Sequence, residues 1–413
     1  MLRVSTLYYF VLLLMMILIS IFSIGTLISF GEEKFGFNSG FIPDISMAII
    51  EIISIIVITT NIKKFQFKGI PKISMIWMLL ILITCINVTE NLDKVIVSVL
   101  FWPLVLLAFH SIFKNTNISI QKFLKFWFAL AIFTSVLVYQ ISVFKTGLLS
   151  NYGISATINY IFYPLLITPW ILLYNNKKII LFWLFLILTL SLFSVKRSAI
   201  LIIVLIAGIY IFNVYFKNTK KQLITKILVI VVILFASLKV YNFVDSLNNS
   251  YLSSRFENVL DDEGSGRLDV YRSVIQLQKE SEFANWIIGH GHNGVQKDNF
   301  VKSDNTGEAR NLSAHNDLLE VLYDYGIIGL ILYLYFIVLI IKRFFYLKKT
   351  DSPFFLAYTS SLIIFLIMSF GSHLILYPTY FIFLTSFWGA IEGVIDRNNT
   401  KNMNNLFPED GRY

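Results

Sequence analysis

Apolar stretches long enough to cross a bilayer follow one another along almost the whole chain, and the feature that most constrains the fold is their one long polar interruption, residues 245–313. Within hydrocarbon every backbone N–H and C=O must be satisfied internally, so the apolar stretches have to be helices. The interruption carries Arg255, Arg267, Arg272, Arg310, His290 and His292 and must therefore lie outside the hydrocarbon, where chemistry with polar substrates is open to it.

The expected spans are residues 7–30, 45–61, 73–88, 95–113, 123–144, 158–174, 179–195, 198–216, 224–244, 316–341, 354–372 and 374–394. The fold class is an all-α polytopic membrane protein of about twelve transmembrane helices, with one large external loop between the ninth and tenth. Residues 1–244 hold the first nine helices, 245–315 the external catalytic loop, 316–394 the last three helices and 395–413 a cytoplasmic tail. Only 14% of residues are charged, about half of what a soluble domain carries. The single cysteine, Cys85, excludes an intramolecular disulfide and a thiolate metal cluster. The apolar start of the chain has no small-residue cleavage site and reads as a retained helix.

Orientation follows from Lys and Arg. With the amino terminus inside, the inner segments hold Arg3, Lys63, Lys64, Lys68, Lys72, Lys114, Lys122, Lys125, Lys177 and Lys178. They also hold Lys217, Lys220, Lys221, Lys226, Lys342, Arg343, Lys348, Lys349, Arg397, Lys401 and Arg412. The short outer loops hold only Lys34, Lys94, Lys145, Lys196 and Arg197, a bias of about four to one. Both termini are then cytoplasmic and the long loop external. The net charge of +9 is dispersed over separate loops, which excludes a nucleic-acid partner.

Lys196 and Arg197 break the orientation rule, as a dibasic pair in an outer hairpin. They suit an anionic headgroup, or they are interfacial anchors. Arg267 follows the turn signal Glu263-Gly-Ser-Gly266 and opens a helix, where orphan N–H groups, the helix dipole and a guanidinium fork together suit phosphate oxygens. Tyr271 shares its face; a solvated surface arginine is the plainer alternative. The segment holds more acids than bases, so an anion bound there depends on specifically placed arginines. Gly289-His-Gly-His-Asn-Gly294 reads as a turn rather than a His-x-His metal pair, and no metal is expected. His315 stands at the start of the tenth helix, on one stripe with Leu319, Leu322, Gly326 and Gly329 and opposite Asp324. That places it at the mouth of the bundle, with the two glycines admitting a neighbouring helix. An imidazole there suits a general base, or it hydrogen-bonds a loop carbonyl.

The stretch Ser313-Ala-His-Asn-Asp-Leu-Leu-Glu-Val-Leu-Tyr-Asp-Tyr-Gly-Ile-Ile-Gly329 resembles the His-Asn…Leu-Glu…Gly-x-x-Gly motif of the O-antigen ligase and polymerase superfamily of bacterial envelope glycosyltransferases. Arg267-Leu-Asp-Val-Tyr271, Gly289-His-Gly291 and Lys196-Arg197-Ser198 are similar to further family motifs, with Tyr271 where Trp is common and Lys196 where Ser or Thr is usual. The similarity is best over residues 194–330. It implies a polysaccharide polymerase acting on polyprenyl-diphosphate-linked glycan at the outer face of the cytoplasmic membrane, or alternatively a ligase moving glycan to a lipid A core. Arg197, Arg267 and Lys196 would hold the diphosphate, and His315 would deprotonate the acceptor hydroxyl. The transfer would be inverting, without metal or cofactor. The partners implied are the lipid-linked donor, a glycan acceptor and membrane lipids, with a chain-length regulator and a flippase as further candidates. A flippase or transporter is the reading from another class. It requires ionisable residues at mid-membrane depth, and Glu51, His110, Lys239, Asp324 and Glu392 stand mostly near helix ends.

Overall fold

The computed structural model describes residues 4–29, 41–61, 68–84, 92–146, 161–193, 196–216, 267–302, 309–311, 313–371, 374–375 and 378–406. Its helices are α1 (Val4–Ser29), α2 (Phe41–Thr60), α3 (Gly69–Thr84), α4 (Leu92–Asn115), α5 (Ile120–Thr146), α6 (Phe162–Ile171), α7 (Lys177–Phe193) and α8 (Arg197–Phe216). After the undescribed stretch come α9 (Arg267–Glu280), α10 (Phe283–Ile288), α11 (Gly294–Asp298), α12 (Asp317–Lys349), α13 (Phe355–Gly371) and α14 (Pro378–Leu406). Every expected span except the ninth overlaps one of these. The ninth, 224–244, and the turn at 263–266 lie outside the described residues. Two details differ from expectation. The polar segment pairs part of its own backbone as a short ribbon, β1 (Phe300–Lys302) antiparallel to β2 (Ala309–Asn311). The last helix runs on past residue 394 to Leu406.

Among the described residues, five helical segments are long and apolar enough to cross a membrane: Ser5–Gly25, Ile42–Thr60, Ile120–Leu137, Arg197–Val214 and Asp317–Lys349. Gly69–Leu80, Val99–Asn115, Phe162–Ile171 and Phe355–Gly371 are shorter apolar helices. These helices are apolar on both faces. In α1, Leu12, Met15, Met16 and Ile19 are buried while Leu7, Phe10, Leu14 and Ile21 are exposed, the arrangement of a helix with protein on one side and lipid on the other. Hydroxyls inside the spans bond back to their own helix, as Ser20 does to the Met16 carbonyl and Ser54 to the Ile50 carbonyl, which satisfies these donors without water.

The tightest helix pair is α4 with α14. A methyl group on Gly389 or Gly393 would run into the carbonyls of Leu106 and His110, so this glycine pair, four residues apart, sets the approach of the two backbones. Around it Trp102 meets Phe381 edge-on at 5.0 Å and Phe365 meets Trp388 at 5.3 Å. Such packing substitutes for a hydrophobic driving force that lipid cannot supply.

The directions of the helices distinguish two ends of the bundle. Asp317, the first residue of α12, accepts hydrogen bonds from the backbone N–H of Leu374 and from Ser369, so α13 finishes where α12 begins. Leu172, just after α6, lines one cavity with Leu356 near the start of α13, which puts the α6–α7 turn at the opposite end. The return along α7 brings Lys196 and Arg197, at the start of α8, back to the Asp317 end. The opposite end holds Lys114, Lys122, Lys177, Lys178, Lys348 and Lys349 and an ionic cluster. There His110 Nε2 lies 3.0 Å from Asp396 and Lys114 lies 3.8 Å from the same carboxylate, while Arg343 forks onto Glu392.

Candidate active site

The Asp317 end is organised by the first three turns of α12. Asn316 is the N-cap and its side chain accepts from Leu318 N–H at 3.0 Å and Leu319 N–H at 3.4 Å. His315 therefore precedes the helix, in the left-handed region at φ 52°. This corrects the stripe argument, which assumed helical geometry through residue 315 and on to residue 329. At Gly326 (φ 64°, ψ −166°) α12 breaks its helical path, so residues on either side of it share no continuous stripe.

Asp317, Glu320 and Asp324 are all buried, at three- and four-residue spacing in a stretch of α12 whose other residues up to Ile341 carry no charge. Asp317 ties α12 to α13 through Ser369 Oγ at 2.5 Å and to the connection after it through Leu374 N–H at 2.8 Å, and it accepts from Tyr333 Oη of its own helix at 3.0 Å. Glu320 accepts from the His315 N–H at 3.3 Å. Asp324, which the helical wheel turned away from the site, accepts from Asn293 N–H at 2.8 Å and Val295 N–H at 3.0 Å and so docks the polar segment onto α12. None of the three entered the sequence reading as a site residue. The signal was their common helical face, where isolated carboxylates in an apolar helix require partners.

The glycines of the Gly-x-x-Gly motif also act differently from expectation. A side chain at Gly326 would strike the Ile287 carbonyl, and one at Gly289 the Asp324 carbonyl. The close approach thus serves α10 and the turn after it, whereas the membrane helices draw together at Gly389 and Gly393. Gly289-His-Gly-His-Asn-Gly294 forms a turn, with His290 N–H bonded to the Tyr323 carbonyl and Gly291 N–H to the Asp324 carbonyl. The His290 ring stacks on Tyr323 at 4.0 Å, with Nε2 3.0 Å from Ser281 Oγ and Nδ1 3.1 Å from the Tyr323 carbonyl. His292 Nδ1 lies 2.6 Å from Tyr325 Oη. Among the described residues no three His, Cys, Asp or Glu side chains converge as metal ligands.

Burial holds the His292 imidazole down to about 4, from 6.5. The unfolded chain therefore takes up a proton between those values that the folded chain refuses. His292 should cost the protein stability as pH falls from 6.5 toward 4, by up to about 3 kcal/mol. His292→Gln keeps a hydrogen-bonding group beside Tyr325 and should flatten the fall in melting temperature across this window. An unchanged slope would remove His292 from the pH response.

Arg197 and Arg267 are each the first residue of a helix, α8 and α9 respectively. The Arg267 side chain lies outside the described residues, but its helix reaches the histidine: Tyr271 Oη, one turn on, donates to the His315 carbonyl at 3.5 Å. Lys196 precedes α8, and its carbonyl accepts from Ile200 N–H. The dibasic pair, the α9 start and His315 are thus at one end of the bundle.

Residues 179–334 match the family described as O-antigen ligase. The chain carries an O-antigen ligase family domain. The match contains Lys196, Arg197, Arg267 and His315 and covers the whole 194–330 stretch in which the sequence resemblance was best. No curated protein matches the chain. With the apolar helices, the domain makes this a glycan-handling membrane protein of the ligase and polymerase class.

Proposed function

We propose that the protein is a polysaccharide polymerase that extends polyprenyl-diphosphate-linked glycan at the outer face of the bacterial cytoplasmic membrane. The observation carrying this reading is the O-antigen ligase domain, whose motif histidine shares one end of the bundle with two helix-opening arginines. Arg197 and Arg267, with Lys196, bind the diphosphate, where negative charge grows as the bond from the anomeric carbon to the phosphate oxygen breaks. His315 takes the proton of the acceptor hydroxyl as that oxygen bonds to the anomeric carbon, and the polyprenyl diphosphate departs with the electron pair. A single displacement of this kind inverts the anomeric carbon and draws its driving force from an already activated donor. The Lys residues gathered at the end opposite the site support an external site, with that basic end facing the cytoplasm.

The family description itself favours a second reading, transfer of finished glycan to a lipid A core. The two differ in acceptor. Purified protein supplied with one short polyprenyl-diphosphate glycan should give a ladder of lengths, since a polymerase can use one molecule as donor and another as acceptor. No ladder, with transfer only once lipid A core is added, would replace polymerase by ligase.

A further inference from the structure

His315 occupies the left-handed backbone region, which costs a residue with a Cβ about 1 kcal/mol or more and persists only when its surroundings hold it. Both of its backbone polar groups are gripped: Glu320 Oε1 accepts from its N–H at 3.3 Å, and Tyr271 Oη donates to its carbonyl at 3.5 Å. The helix itself does not need Glu320 in this place, because Asn316 already serves the N–H groups of Leu318 and Leu319. Glu320 instead reaches back beyond the cap. It is 2% exposed, and its carboxyl accepts from the Ala314 backbone as well as from the His315 N–H, so it holds the two residues that lead into the cap.

We propose that Glu320 is a positioning residue for His315: its buried carboxyl holds the residue 315 backbone in the left-handed turn that aims the imidazole at the acceptor hydroxyl. This rests on His315 being the general base. Without Glu320 the backbone can relax to a right-handed or extended conformation, which rotates the Cα–Cβ bond and carries the ring away from the reacting oxygen.

The test compares Glu320→Ala with Glu320→Gln in full-length protein reconstituted with a polyprenyl-diphosphate glycan. Glutamine retains a carbonyl oxygen for the His315 N–H and should stay within a few-fold of the parent. Alanine should lower kcat about a hundredfold, the scale of a misplaced catalytic group, with KM for the donor unchanged. Three results would overturn the proposal: full activity in Glu320→Ala, an equal loss in both variants, or a loss in Glu320→Ala carried by donor KM or by failure to fold, which would make Glu320 general support for the segment. Activity retained by His315→Asn would instead remove the general base, and the functional reading with it. An inactive His315→Asn beside a fully active Glu320→Ala would remove only the positioning role.

Discussion

Replacing His315 by asparagine is expected to lower glycan transfer by about 10²- to 10⁴-fold, the contribution of a positioned general base. Asparagine is chosen because it tolerates a left-handed backbone such as the φ of 52° found here, whereas alanine would lose the imidazole and strain or release the turn at once. The loss should appear in kcat at saturating donor, with protein level and melting temperature unchanged. His290 and His292 provide the contrast. Their rings hydrogen-bond to Ser281 and to Tyr325 in the docked turn, so His290→Asn and His292→Gln should keep transfer while lowering stability. Chelator treatment should leave the parent rate unaltered. Recovery of a chelator-inactivated protein by a divalent metal would defeat the metal-free mechanism, and an active His315→Asn would dismiss the base.

The second large effect is expected at the helix-opening arginines. Arg267→Ala and Arg197→Ala should each reduce transfer by about 10²- to 10³-fold, the scale seen when one donor to a developing anion is removed. Both residues open helices, so each position adds backbone N–H groups and the positive dipole end to its side-chain charge. Arg267→Lys should recover part of the rate, since it keeps the charge and loses the bidentate fork. Membrane insertion of all three variants should match the parent in protein level. Full activity in Arg267→Ala would exclude it from diphosphate binding, and recovery to parent rate in Arg267→Lys would reduce its role to charge alone.

The membrane class, the position of nearly every described span and the residues of the O-antigen ligase motif were legible in the sequence, because each depends on local quantities. Span length follows from bilayer thickness, and a backbone in lipid has no alternative to helix. The Gly289–Gly294 turn was likewise readable from its glycines, two of which, Gly289 and Gly291, do adopt positive φ. The GxxxG pattern at Gly389 and Gly393 is equally visible in the sequence, and it is there, not at Gly326 and Gly329, that two membrane helices come closest together.

What only the tertiary structure decided is how the polar segment meets the membrane helices. A helical wheel applied to residues 315–329 presumes one unbroken helix, but His315 precedes the cap and Gly326 breaks the path, so the wheel turned Asp324 away from the segment it actually docks. The physical reason is range. Helix formation and span length are fixed by neighbours a few residues apart, whereas the burial of Asp317, Glu320 and Asp324 is tolerable only because donors arrive from elsewhere: Ser369 and Leu374 for the first, the His315 backbone for the second, Asn293 and Val295 for the third. The sequence by itself determined a set of lipid-facing helices interrupted by one long polar segment. The packing of that segment on the broken start of α12 determined which carboxylates are structural and which one touches the histidine.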